Sequence, residues 1–366
     1  MKIGILTSSR ADYGIYLPLL QKLNIDTFFE IEIIAFGTHL SKFHGFTVNE
    51  IELDNFTKIH KISTLISNDD EQAIASSYAL TVLKFADFWQ NNKFDLVFCL
   101  GDRFEMSAAV QASIPFGVKL AHIHGGETTL GAIDNIYRHQ ITLASQIHFT
   151  SSIIYEKKIT NLIGENKNIY TVGSLSLDNL VNFKPIEKNV FYSKFNISQN
   201  DFALITFHPE TIAISENEQF AGEMKKALTE IAKQLNLVIT MPNADTLGSV
   251  YRKKIEELKA ENTNKITLIE NFGKENYFSA MYYSKVLIGN TSSGILEAAS
   301  FGKHVVNVGD RQKGRAQSSN ILDTNFSSKD IILNVRKAIG LGDFKFENIY
   351  YKKGAADSII KIIKNL

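Results

Sequence analysis

Only one cysteine, Cys99, occurs in 366 residues, so an internal disulfide is excluded and a reducing, cytoplasmic setting is expected. It sits in FDLVFCLGD, an apolar run read as a buried strand, which makes it a core thiol rather than a nucleophile. Excess charge is also missing, since 39 basic residues balance 39 acidic ones. Proteins that coat nucleic acid usually carry a basic excess because phosphate contacts dominate their affinity, so no nucleic-acid partner is expected. No apolar run approaches the roughly twenty residues of a membrane span, so no membrane partner is expected. The run at residues 3–6 meets polar Thr7 too soon for a secretory signal. What is present is 44% apolar content, enough for a sizeable core, and a length that suggests two domains.

Short runs rich in Ile, Val and Phe alternate with stretches of helical periodicity. KIGILTSS, FEIEIIAFG, FDLVFCLGD, GVKLAHIHGG and IHFTSS are the predicted strands of the first half; DFALITFHPE, LNLVITMPN, KITLIEN, KVLIGNTSS and HVVNVGD are those of the second. Near-continuous apolar runs, rather than strict alternation, predict parallel strands covered on both faces by helices. The expected class is α/β, with domains at residues 1–181 and 182–366 whose strand ends border a shared cleft. Residues 182–201, with Pro185 and several lysines, read as the linker. Ile359, Ile360, Ile362 and Ile363 have the spacing of a last helix, which could pack back on the N-terminal domain.

Polar residues gather at the predicted strand ends. In SSRADYG, Arg10 could meet a phosphate or carboxylate through a forked pair of hydrogen bonds, or pair with Asp12 at a helix start. Gly14 would let a ligand approach the backbone. In LGDRFE, Asp102 and Arg103 follow a buried strand, and Asp102 is a candidate base, sugar ligand or helix cap. The densest cluster is HIHGGETTLGAIDNIYRH. There His122, His124 and Glu127 converge on a Gly-Gly turn with room for a substrate, and Asp134 and Arg138 are spaced to pair on one helix face. The H-x-H-x-x-E spacing also admits a metal reading.

In the second half, TFHPET puts His208 at a strand end, able to act as acid or base or to donate to a phosphate. Asn243 in MPNAD is a candidate sugar or base contact. Thr291, Ser292 and Ser293 precede Gly294 and a helix in GNTSSGILEAAS, where free amides and hydroxyls favour a diphosphate. Glu297, one turn in, could accept from ribose hydroxyls. No Walker pattern accompanies them, so ATP hydrolysis is not indicated. GDRQKGR adds Arg311, Lys313 and Arg315 in one loop.

In this order the clusters resemble the hydrolysing UDP-N-acetylglucosamine 2-epimerases of bacterial sialic-acid and related nonulosonic-acid synthesis. RADYG, GDRFE, HIHGGE with its following D and RH, HPET, PN with D, GNTSSG with E, and GDRQKGR span nearly the whole chain, and the ordered set is specific. The resemblance implies a GT-B-like pair of Rossmann domains, a UDP-amino sugar as ligand, a homo-oligomer (dimer or tetramer), and no metal or redox cofactor. It places Asp102, Asp134 and Arg138 at the catalytic centre and His208 near the diphosphate or a proton transfer. Arg10, Arg103, Ser292, Ser293, Glu297 and Arg311 would hold the nucleotide. The family often has a glutamate where this chain has His124, so that role would fall to His124 or to Glu127, or the substrate would differ.

The reaction implied is release of UDP, loss of the carbon-2 proton to Asp102 or Asp134, and addition of water to the resulting glycal. Its substrate would be UDP-N-acetylglucosamine or a 2,4-diacetamido-2,4,6-trideoxy analogue. Two rival readings are a GT-B glycosyltransferase and a non-catalytic protein that binds sugar nucleotides.

Overall fold

The computed structural model describes residues 1–366 apart from 57, 67, 69, 131, 132, 211, 212, 243–247, 263 and 271, and apart from the side chains of 179, 181, 182, 214 and 274. The chain folds into two units. The first is Met1–Glu127, Ile133–Val181 and Tyr350–Leu366; the second is Thr128–Ala132 and Asn182–Ile349.

In the first unit the strands are β1 (Lys2–Thr7), β2 (Glu30–Phe36), β3 (Lys58–Ile62), β4 (Leu96–Leu100), β5 (Leu120–Ile123), β6 (Ile147–Thr150) and β7 (Ile169–Thr171). They form one sheet in the order β3-β2-β1-β4-β5-β6-β7, with every pairing parallel. The central strands are buried along almost their whole length, as their unbroken apolar runs require. One sheet face packs on the helix Arg10–Ile25 and the helix Ala355–Ile363; the other packs on the helices Glu71–Asn91 and Phe104–Ser113. Cys99 lies in the second of these layers, and burial pushes its thiol up to about 12.

The second unit repeats the plan with β8 (Phe202–Thr206), β9 (Asn236–Thr240), β10 (Ile266–Ile269), β11 (Val286–Gly289), β12 (Val305–Val308) and β13 (Ile321–Thr324). Their order is β10-β9-β8-β11-β12-β13, again parallel throughout. Both sheets reverse their winding beside the first strand of the unit, at β1/β4 and at β8/β11. Strand C-termini at such a switch point are where open α/β sheets bind ligands.

Helix ends follow local chemistry. Ser9 caps the helix Arg10–Ile25 in a capping box with Asp12, and Asp70 caps Glu71–Asn91 by accepting from the Ala73 amide. The helix Ala355–Ile363 is capped from far away: the amides of Ala355 and Ala356 donate to the Asp178 carboxylate at 2.7 and 3.3 Å. Its Ile359 and Ile363 enter the first unit's core, contributing roughly 1.5–3 kcal/mol each.

The expected linker is partly structured. A helix at Lys188–Lys194 buries Phe191 and Tyr192 in the core of the second unit, against Phe202, Phe272 and Met281. Its two aromatic residues are adjacent in sequence, so they show no strand or helix period over so short a stretch. Among the described residues, no helix is long and apolar enough to cross a membrane.

Candidate active site

Three strand ends of the first unit build a charged cluster. After β4, Gly101 turns with φ +77° and presents Asp102. Arg138, almost wholly buried, forms an ion pair with Asp102 and donates from Nη1 to the Glu127 carbonyl at 2.7 Å. The helix spacing suggested an Asp134–Arg138 pair; instead Arg138 reaches back across the unit to Asp102. Asp134 opens the helix Asp134–Ala144. Burial, then the neighbouring Asp102 charge, raises its carboxyl above the ordinary 3.8, although Arg103 and Arg138 act the other way. The two acids therefore differ in setting: one is held in an ion pair, the other has its carboxyl raised by burial.

The turn after β5 is more strained than its two glycines suggest. His124 itself lies at φ +64°, a conformation that costs a non-glycine residue of order 1–3 kcal/mol. Its ring nitrogen Nδ1 is 3.6 Å from Glu127 Oε1, and Nε2 is 3.5 Å from the Ser174 hydroxyl. Ser151 Oγ donates to Glu127 at 2.8 Å. Both His124 and Glu127 are buried. The glycines of this turn serve packing rather than substrate: a Cβ on Gly125 would lie 2.8 Å from His122 Nδ1, and one on Gly126 would lie 2.7 Å from the Tyr155 carbonyl.

His122 supports the turn from below. Its Nε2 is 2.9 Å from the Gly101 carbonyl and its Nδ1 is 3.1 Å from the Thr142 hydroxyl. Burial, reinforced by His148, Arg138 and His124, pushes it down to about 3. The neutral ring therefore donates from Nε2 to Gly101 and accepts at Nδ1 from Thr142. Both ring nitrogens are used in this way. Among the described residues no group of three or more His, Cys, Asp or Glu side chains is arranged to hold a metal ion.

Around β1 the pattern differs from expectation. Asp12 is buried and turned inward, accepting from Thr7 Oγ1 at 2.5 Å and from the amide and hydroxyl of Ser8 at 2.9 Å each. Burial would raise its carboxyl, but hydrogen bonds from His39, Thr7 and Ser8 overcome that and leave it lowered. Arg10 points to the surface and meets Glu50 at 3.3 Å rather than Asp12. Gly14 has open space where a Cβ would project. Arg103 is engaged by Glu105, with Nε at 3.2 Å and Nη2 at 2.8 Å from its carboxylate oxygens.

In the second unit the grouping is of amides and hydroxyls. Gly289 (φ +146°) ends β11 so close to β8 that a Cβ would stand 1.8 Å from the Thr206 carbonyl; any side chain there would part the strands. Thr291 follows and caps the helix Ser292–Leu296 by accepting from the Ser293 amide at 3.3 Å. Ser293 donates to Glu297. The helix is shorter than the sequence suggested, giving way to a 3-10 turn at Ala298–Phe301. Two of the three hydroxyls are thus also explained by local structure, while Ser292 has no such local role among the bonds seen.

The loop after β12 closes on the HPE segment. Glu210 is buried and accepts from the amides of Asp310 and Arg311 at 3.2 and 3.1 Å. Arg311 Nη1 donates to the Pro209 carbonyl at 2.5 Å. Lys313 pairs with Asp310 at the surface, 3.0 Å away. Tyr277 carried no sequence signal, yet its buried hydroxyl lies 3.4 Å from Thr206 Oγ1, and burial pushes it up to about 12. Asn243 and Asp245 lie outside the described residues.

Two successive parallel sheets of this winding make the protein a GT-B-like pair of Rossmann units with polar clusters at the strand ends. The chain belongs to the UDP-N-acetylglucosamine 2-epimerase family, whose sequence profile matches residues 21–364. It is 34% identical over 330 residues to the Campylobacter jejuni GDP/UDP-N,N'-diacetylbacillosamine 2-epimerase (hydrolyzing), covering 90% of this chain and 85% of that one. It is 30% identical over 367 residues to the Legionella pneumophila UDP-N,N'-diacetylbacillosamine 2-epimerase (hydrolyzing), covering 100% and 96%. In fold it is similar to the Neisseria meningitidis UDP-GlcNAc 2-epimerase crystallised with UDP-GlcNAc, with a TM-score of 0.82 at 16% identity and 100% of both chains covered.

Proposed function

We propose that this protein is a hydrolysing UDP-sugar 2-epimerase, and that its substrate carries acetamido groups at carbons 2 and 4, as in UDP-N,N'-diacetylbacillosamine. The observation that carries the reaction is the pairing of two unlike acids in the first unit: Asp102 bound to Arg138, and Asp134 with its carboxyl raised. The two bacillosamine 2-epimerases, at 34% and 30% identity, support the substrate.

Loss of UDP breaks the bond between the anomeric carbon and the phosphate oxygen, and it acidifies the hydrogen on carbon-2. Asp134, whose carboxyl is raised by burial, takes that proton and a glycal forms. Water then adds across the double bond: its hydroxyl goes to carbon-1 and a proton returns to carbon-2 from the other face. The His124–Glu127 pair, 3.6 Å apart, supplies that returning proton. Asp102 and Arg138 fix the charges around Asp134. In the second unit Ser292, Ser293, Arg311 and His208 offset the charge that grows on the leaving diphosphate, and Glu297 accepts from the ribose. Neither a metal nor a redox cofactor takes part.

The test is incubation with UDP-N,N'-diacetylbacillosamine and UDP-N-acetylglucosamine side by side, without any acceptor. Release of UDP with a free 2-epimer, faster from the diacetamido nucleotide, is expected. No UDP from either would overturn the reaction, and a preference for UDP-N-acetylglucosamine would overturn the substrate.

A further inference from the structure

The segment His208–Pro209–Glu210 follows β8 as irregular backbone, yet none of its hydrogen-bonding backbone groups is left to water. The His208 amide donates to Asn290 Oδ1 and the His208 carbonyl accepts from Asn290 Nδ2, both at 2.8 Å. The Pro209 carbonyl accepts from Arg311. The Glu210 amide donates to Asn217 Oδ1 at 2.8 Å, and the Glu210 carbonyl accepts from Asn217 Nδ2 at 2.9 Å. Proline has no amide hydrogen, so this accounts for the whole segment.

A carboxamide carries one acceptor and one donor side by side, and so pairs with one residue's N–H and C=O as a neighbouring strand would. Asn290 does this while fully buried, and it is itself held in place. Its amide donates to the Thr206 carbonyl at 3.2 Å, just past the point where Gly289 lets β11 close on β8. Its carbonyl accepts from Gln312 Nε2 at 2.9 Å. One residue, through its side chain on one side and its backbone on the other, thus ties His208 to both the hydroxyl loop that begins at Thr291 and the loop that carries Arg311.

We propose that Asn290 is a positioning residue for His208, its carboxamide holding the imidazole in register with the hydroxyl loop, with Asn217 bracing the segment two residues on. This rests on the role given to His208 above. Asn290 is held by β11, and its side chain bonds to His208 rather than to the hydroxyl loop. Removing the carboxamide therefore unties the His208 backbone, and with it the placement of the imidazole, while the Thr291 cap on the Ser293 amide remains.

The experiment is a double-mutant cycle on turnover with Asn290→Ala and His208→Asn, alongside UDP affinity and melting temperature. Asn290→Ala should lower kcat by about 10- to 100-fold, the scale of a displaced catalytic group. UDP affinity should fall no further than it does in His208→Asn, and the double variant should be no worse than His208→Asn within about threefold. Should Asn290→Ala fail to fold, Asn290→Asp carries the same cycle, since it keeps size and acceptor but cannot donate to the His208 carbonyl. Asn320→Ala is the control for a merely structural amide: buried in the same unit and bonded to the Lys303 carbonyl at 2.9 Å, it should lower melting temperature without coupling to His208. Losses that multiply in the double variant, or a drop in UDP affinity beyond that of His208→Asn, would overturn the positioning role alone. Full turnover by His208→Asn would overturn the role of His208 and this inference together.

Discussion

The two units share a winding order yet use opposite means of fixing polar groups at their strand ends. In the first, charge does the holding: Asp102 with Arg138, Asp134 raised beside them, and a buried neutral His122 beneath the turn. In the second, neutral amides do it, with Asn290 and Asn217 clasping the HPE segment. Charges that face each other in a low dielectric shift one another's protonation, which suits proton transfer. Carboxamides leave protonation alone and set only direction, which suits a site that must grip a fixed anion. The same topology supplies the strand ends, and the side chains decide which task each end performs.

The contrast breaks most readily at its acids. Asp134→Asn should lower UDP release by about 10²- to 10⁴-fold while UDP affinity stays close to that of the unaltered protein, the range expected for loss of a general acid–base group. An unchanged rate in a UDP-release assay would remove Asp134 from proton transfer. Arg138→Met tests whether charge holds the first unit together. It leaves the partly exposed Asp102 without its partner and the Glu127 carbonyl without its donor, and should cost about 1–3 kcal/mol of stability, seen as a lower denaturation midpoint. In the second unit Glu297→Gln should weaken UDP binding by about tenfold, measured by calorimetry, without altering the pH dependence of turnover.

A smaller effect is the acid sensitivity of the first unit. His122 and His148 are held well below the ordinary 6.5, at about 3 and about 4, mainly by burial. Below pH 6.5 the unfolded chain binds protons that the folded chain refuses, so stability is complete above that pH and is lost as pH falls toward the folded values. Each histidine contributes a slope of up to about 1.4 kcal/mol per pH unit in that window. His122→Asn should make the fall of the denaturation midpoint between pH 6.5 and 4.5 shallower. An equally steep fall in that variant would mean that His122 already takes up a proton in the native state. Smallest is Tyr350→Phe, which removes one buried hydroxyl contact to Tyr155 at 2.8 Å and should cost about 1 kcal/mol.

Much of the fold was legible because central parallel strands, buried on both faces, must be almost wholly apolar. KIGILT, LVFCL and FALIT announce themselves. Of the four edge strands, β10 (ITLI) does so too, whereas β3, β7 and β13 do not. KIHKI and ILDT break their short apolar runs with charged residues, and IYT is only three residues long. Among site residues, those at strand ends stood out as clusters. The supports beneath them were hidden: Tyr277 is a single polar residue inside an ordinary-looking helix, and Asn290, although it stands in GNTSSG, shows nothing along the chain of its tie to His208.

The sequence by itself determined the α/β class, the succession of strands, and the concentration of acids and histidines in one half and of hydroxyls in the other, because burial and strand-end chemistry are local properties. Tertiary structure alone decided the partners. Arg138 meets Asp102 from 36 residues away, Asn290 meets His208 from 82, and Asp178 caps a helix 177 residues on. Such pairs depend on which strands lie side by side and in what register, and a hydrogen bond between distant residues leaves no periodic trace along the chain.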